Sequence, residues 1–294
     1  MGNRFLQEEE WQNLEKAYHG RIQPWLEAFR ERRIRGEKHP VHDFLFEYYQ
    51  CKRSILINWH PPMGYILQGK AARKYLNLTF YQESGLGIFL NPEDLDEKTC
   101  HRADWIARLL EAALNREPQT HCFGLHEWAM VYKSACIRHR STPLRLTPAE
   151  IERVIESQTI RCSHYDAFRF FTEAAQPRNT LQPEKEDRSS FEQFGCVHFN
   201  MDLLKWCYKL HPWVSSELLA DCFHLALEAR ELDMRASPYD LSEYGFEAIR
   251  IETPDGRKTY QRIQMEIGEK GRWLAARLAE EITYLLNAER SCMT

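Results

Sequence analysis

Residues 196–241 read CVHFNMDLLKWCYKLHPWVSSELLADCFHLALEARELDMRASPYDL, and the periodicity of this stretch decides the fold. It predicts two helices, near 198–210 and 215–234, with the chain broken at Ser237-Pro-Tyr-Asp-Leu. In the first helix His198, Asp202, Lys205 and Lys209 recur at steps of four, three and four, so they share one face. Met201, Leu204, Trp206 and Tyr208 cover much of the rest. The polar edge is therefore either a solvated stripe or the lining of a cavity. In the second helix Glu217, Asp221, His224, Glu228, Glu231 and Arg235 form a stripe opposite a clean apolar face, the pattern of a surface helix. Asp233 lies off that stripe, between Leu232 and Met234. It reads as an inward acid, either ion-paired with the nearby Arg235 or catalytic.

Working outward, helical spacing continues on both sides. Trp11, Leu14, Tyr18, Ile22, Trp25 and Phe29 predict a long N-terminal helix bent near Pro24, part of an arm (residues 1–38) packed on the rest. A second helix is expected over Val41–Tyr49, and another opens at Asp94 or Asp96 with Ile106, Leu110, Ala113 and Leu114 inward. Gly124–Ser134 reads as a helix, and Thr147-Pro-Ala-Glu150 has the capping-box pattern of a helix running to about Gln158. Thr253-Pro-Asp starts a long C-terminal helix to about Ala288, with weak points at Gly268 and Gly271. Residues 64–90 suggest a small β-hairpin around Gly85-Leu-Gly87, and Ile249 with Ile251 suggests one further strand. The polar, proline-bearing segment 176–193 is the longest loop signal, a flexible connector or a lid. The fold class expected is thus mainly α: one multi-helix globular domain over 1–294 with a small hairpin element.

Bulk numbers exclude several classes. At 294 residues, with 43% hydrophobic and 28% charged residues, the chain can bury a full core without disulfides or a metal clip. The net charge of −4 is not that of a dedicated nucleic-acid binder. The basic cluster Arg30, Arg32, Arg33, Arg35 and Lys38 is explained by a helix C-terminus. Nine cysteines, an odd number without a C-x-x-C pair and mostly in apolar company, fit reduced, buried thiols and a cytoplasmic protein. No signal core or membrane span is read.

Chemistry concentrates in four dense words: GLHEWAMVY (124–132), RCSHYDAFRFF (161–171), CVHFNMDLLKW (196–206) and ELDMRASPYD (231–240). Charged groups in such apolar company must be paired, coordinated or exposed. His126-Glu127, His164 with Asp166, and His198 with Asp202 are short His-acid combinations. Two His and a carboxylate suffice for a non-haem iron site, and the pair His198/Asp202 could share an ion from one helix. Neither H-E-x-x-H nor E-x-x-H occurs in these words, and twelve His produce some such neighbours by chance. Cys162 and Cys196 each precede a His by two residues, a spacing that by itself makes no catalytic dyad. Phosphate-loop, dinucleotide and G-x-S-x-G signatures are missing.

The words RGEKHPVHDFLFEYY, GLHEWAMVY, RCSHYDAFRFF, NMDLLKWCYKL and ELDMRASPYDL resemble a family of bacterial proteins commonly labelled 3-methyladenine DNA glycosylase, from about Arg35 to Tyr260. The resemblance implies excision of alkylated purines from DNA without a cofactor. An extruded base would then stack on Trp128, Tyr132, Tyr165, Phe168 or Trp206. Asp166, Asp202, Asp233 or Glu127 would supply the catalytic carboxylate. Arg161, Arg169 and Lys205 would meet phosphates, with Arg235 and Tyr239 also on the substrate. The alternative is a metal-dependent oxygenase or hydrolase acting on a small molecule, with Fe, Mn or Zn held by His126, His164, His198 and a carboxylate.

Overall fold

The structure is a computed structural model that describes residues 4–134 and 142–292, with side chains to 288. It is mainly helical, with one small sheet. Strand β1 (Arg4–Leu6) leads into α1 (Glu8–Arg35), followed by the short helices α2 (Phe44–Glu47) and α3 (Arg53–Leu56). Strands β2 (Tyr65–Leu67), β3 (Tyr81–Ser84) and β4 (Gly87–Leu90) come next, then α4 (Glu97–Leu114) and α5 (Leu125–Ala129). The chain continues through α6 (Pro148–Ser157), α7 (Tyr165–Phe168) and α8 (Arg188–Phe191). It closes with α9 (Val197–Lys209), α10 (Ser216–Arg235) and α11 (Pro254–Cys292). Among the described residues no helix is long and apolar enough to cross a membrane.

The two helices of the opening stretch form the centre. α9 packs along α10, α11 lies against both, and α4 packs on α11. From Val197 to Leu204 every residue of α9 is buried, the polar His198, Asn200 and Asp202 included. An element hydrophobic on nearly all sides must be interior, and its few polar groups must find partners there. α10 does bury its apolar face, but its stripe is half-covered rather than free: Glu217 accepts from Trp59 Nε1 at 2.6 Å and Asp221 pairs with Arg21 and Arg277.

Local signals placed several ends correctly. Asp96 caps α4 and Thr147 with Glu150 forms the capping box of α6. α1 runs through Pro24 and ends at Gly36 in the left-handed region, its terminal arginines paired with carboxylates of the next turn, as Arg32 is with Asp43. Trp11, Tyr18, Ile22 and Leu26 of this helix belong to the common core.

Other expectations need correction. The helices expected over Val41–Tyr49 and Gly124–Ser134 shrink to α2 and α5, flanked by turns. Tyr75 and Leu76 lie in a 3-10 helix, Lys70–Asn77, outside the hairpin. The hairpin β3–β4 pairs Ser84 with Gly87 and joins a four-stranded sheet, ordered β1-β2-β4-β3, that also recruits the N-terminus. Gly87 (φ 134°) is obligatory there, because a Cβ would lie 2.5 Å from the Leu67 carbonyl oxygen. Ile249 and Ile251 are buried in a turn rather than a strand. Segment 176–193 holds a 3-10 turn and α8, with Glu192 and Gln193 buried and Arg116 bonded to the carbonyls of Glu192 and Ser189 at 2.5 and 2.9 Å.

Gly268 and Gly271 do not interrupt α11, which continues through both; Gly271 lets it approach α9 closely, and Gly268 the Phe194–Gly195 backbone just before α9. A Cβ on Gly271 would stand 1.5 Å from Asn200 Oδ1. Asn200 cannot yield freely, since its amide donates to Phe194 O and Cys196 O, both at 2.8 Å. Gly271→Ala is expected to destabilise by about 1–3 kcal/mol through overpacking, despite a helix-propensity gain of about 1 kcal/mol. Urea unfolding checks this; a variant at least as stable as the parent would contradict it.

Candidate metal centre

Tertiary packing brings four elements to one buried place. α5 delivers His126 and Glu127, the residue before α7 is His164, α9 delivers His198 and Asp202, and α10 delivers Arg230 and Asp233. All are buried. The three histidines form a row: the His126 and His198 ring centroids are 4.5 Å apart, edge to face, and His164 stacks on His198 at 5.2 Å.

Two triads of metal-ligand type lie side by side, meeting where His164 stacks on His198. The first is His126, His198 and Asp233; one ligand atom from each lies within 4.8 Å of the others. His126 Nε2–H donates to Asp233 Oδ1 at 2.6 Å, and Asp233 Oδ2 accepts from Arg230 Nη1 at 2.8 Å. The same Nη1 donates to Glu127 Oε1 at 2.8 Å. Burial pushes the His126 imidazole down, but the charge and hydrogen bond of Asp233, with Glu127, outweigh it, so His126 is held more basic than usual. Burial pushes the Asp233 carboxyl up, and His126 more than reverses this. His198 is kept neutral, first by burial and then by the neighbouring His126.

The second triad is His164, Glu192 and Asp202, again with ligand atoms within 4.8 Å of one another. Arg188 bonds Asp202 Oδ2 and Glu192 Oε1, each at 2.5 Å, and Lys205 also donates to Asp202 Oδ2. Burial pushes the Asp202 carboxyl up, but Lys205, His164 and Arg188 hold it well below the ordinary carboxylate range. His198 and Asp202, one turn apart on α9, therefore fall into different triads and do not share a single ligand set.

A crevice reaches the two imidazoles of the first triad. It has about 10 Å³ of free volume, room for roughly one water. His126 and His198 line its floor, Cys122, Cys162 and Cys196 its walls, and Arg161 its exposed rim. Burial pushes the Cys162 thiol up to about 12 and the Cys196 thiol well above its usual value, so both are neutral thiols rather than nucleophiles. Cys136 and Cys292 lie outside the residues whose side chains are described.

The remaining candidates scatter. Trp128 is fully buried and donates to Ala236 O, and Tyr132, also buried, donates to Glu156. Tyr239 is buried and Tyr165 half-buried. Trp206 is covered by Arg188 and Lys205, at 5.2 and 4.4 Å from its ring. Arg169 pairs with Asp166 at the surface. Arg235 pairs with Glu231, which corrects the expected Arg235–Asp233 pair: the partner of Asp233 is Arg230. Arg230, Arg188 and Glu192 escaped the sequence reading. Their only signals were spacings, Arg230 three before Asp233 and Arg188 four before Glu192.

Comparison with known proteins adds no relatives: no family model, no curated protein and no solved structure matches the chain.

Proposed function

We propose that this chain is a metal-dependent enzyme acting on a small molecule, with the ion held by His126, His198 and Asp233. The observation that carries the reading is the convergence of these three ligands, from α5, α9 and α10, beneath a crevice open to their imidazoles. Two histidines and one carboxylate leave coordination positions free for water, dioxygen or substrate, and with iron(II) this donor set supports oxygen chemistry. The electrostatics agree. His198, kept neutral by burial, is in the ligating form, and Asp233, held below the ordinary carboxylate range by His126, would offer a charged oxygen to a divalent cation. Ligands at right angles around bonds of about 2.1 Å stand about 3 Å apart, so the 2.6 Å His126–Asp233 contact opens only slightly. Arg230 then orients Asp233 through its outer oxygen, and Glu127 holds Arg230. Arg161 at the rim suits a polar or anionic group on a substrate that reaches the ion from outside.

Base excision, the activity implied by the resemblance, draws less support here. An extruded purine does not fit about 10 Å³, and Trp128 and Tyr132 are committed to the core.

The test is metal content. Purified protein is expected to carry iron, manganese or zinc at this site, and His198→Ala to bind that ion at least about tenfold more weakly. Arg161→Ala should keep the ion and lose substrate affinity. Protein that binds none of these metals, or a His198→Ala variant with undiminished metal, would overturn the reading.

A further inference from the structure

We infer that the chain holds a second metal ion, at His164, Glu192 and Asp202, next to the first. The inference stands on residues different from those of the His126–His198–Asp233 site, and either can fail alone.

Geometry gives the donor set, with ligand atoms from the three residues mutually within 4.8 Å. Unsatisfied polar atoms give the second, independent observation. His164 is only 1% exposed, yet neither of its ring nitrogens makes a well-formed hydrogen bond, and Glu192 Oε2 is without one. His164 Nε2 lies 3.4 Å from Asp202 Oδ2 and 3.6 Å from Glu192 Oε1, facing both at ion-pair distance but in well-formed hydrogen-bond geometry with neither. Native interiors rarely leave a buried imidazole or carboxylate oxygen without a well-formed hydrogen bond. An ion between the three groups would give His164 a partner and draw on the bonding capacity that Glu192 leaves unused. One imidazole and two carboxylates form a hard donor set, suited to manganese(II) or iron(II).

Arg188 and Lys205 do not compete for all of these atoms. Arg188 uses Glu192 Oε1 and leaves Oε2 idle. The two cations pair with both carboxylates and supply the countercharge when no ion is bound. A third carboxylate waits beside them: Asp166 Oδ2 is 3.4 Å from Arg188 Nη1 and 3.5 Å from Lys205 Nζ. Asp166 would keep the two cations paired with an ion drawing on Asp202 and Glu192. The stacking of His164 on His198 then makes one imidazole from each site the shared wall of a two-ion centre.

Equilibrium dialysis of the chelator-stripped full chain against manganese(II) tests this, with the bound ion counted by elemental analysis. Two ions per chain are expected for the parent, and one for His164→Ala. Glu192→Gln, which keeps size and removes charge, is the second variant and should also retain one; it decides the matter if His164→Ala does not fold. One ion per chain in the parent, lost in His198→Ala but kept in both of these variants, sinks the second site and leaves the first standing. One ion lost in His164→Ala and Glu192→Gln but kept in His198→Ala does the reverse. Two ions in the parent and two in either folded variant would also overturn the inference, as would no binding at all.

Discussion

Replacing Arg230 by methionine is expected to lower the unfolding free energy by about 3–5 kcal/mol, the cost of leaving buried charges without their partner. Arg230 is 1% exposed, and a single nitrogen serves both Glu127 and Asp233 at 2.8 Å. Its guanidinium lies over the Phe44 ring, 3.9 Å from the centroid. Methionine fills the apolar volume but removes the guanidinium that Glu127 and Asp233 share, which exposes their mutual repulsion and favours a proton on one of them. The deficit should therefore shrink as pH is lowered from 8 to 5, since protonating a carboxyl relieves the repulsion. In a chain of this size a loss of that order moves the thermal midpoint by roughly 10 °C. Arg230→Lys keeps the charge but not the planar fork and should fall between. Urea unfolding at both pH values measures the effect. A methionine variant within about 1 kcal/mol of the parent, with no pH dependence of the difference, would show that the pairing does not govern this core.

Mild acid is expected to be the other large perturbation. Burial, and then the charge of His211, push His60 down to about 3, and burial pushes His211 down to about 4. Their rings meet edge to face at 4.4 Å. In the unfolded chain both titrate near 6.5. The unfolded state therefore binds more protons between these values, and stability falls as pH drops below about 6.5. The contribution is fully present above that pH and is lost progressively toward pH 3–4. Each histidine gives about 1.4 kcal/mol per pH unit, so the pair should cost on the order of 3–4 kcal/mol between pH 7 and pH 5. His39, His42, His198 and His224 are shifted in the same direction, and His126 opposes them. His60→Asn retains a polar atom for the Tyr81 hydroxyl, which lies 2.9 Å from Nδ1, and should remove about half of the pair's pH dependence. A denaturation midpoint that stays flat from pH 7 to 5 would contradict this account.

The elements differ in how much of them could be read in advance. Caps at Asp96 and Thr147 and the apolar repeats of α4, α9 and α10 are local, because the groups that satisfy a helix end or define its inner face lie within a few residues. Short helices such as α2 and α5 were overextended, since a one- or two-turn helix has no stable length of its own and ends where packing stops it. Gly268 and Gly271 look like helix breakers in one dimension, and are contact points once Phe194 and Asn200 face them.

The candidate site divides along the same line. Composition and periodicity alone determined that the chain is mainly helical, and that His126, His164, His198, Asp202 and Asp233 sit among bulky apolar neighbours, because covalent order fixes which residues share a helix face. Only the tertiary structure decided which acid serves which imidazole. It sent His198 and Asp202 to different triads and gave Asp233 to Arg230 instead of Arg235. It also drew Arg188 and Glu192 out of a polar segment and into the interior. Hydrogen bonds and ligand sets act over about 3 Å, and partners such as His126 and Asp233, 107 residues apart in the chain, come within that range only through packing.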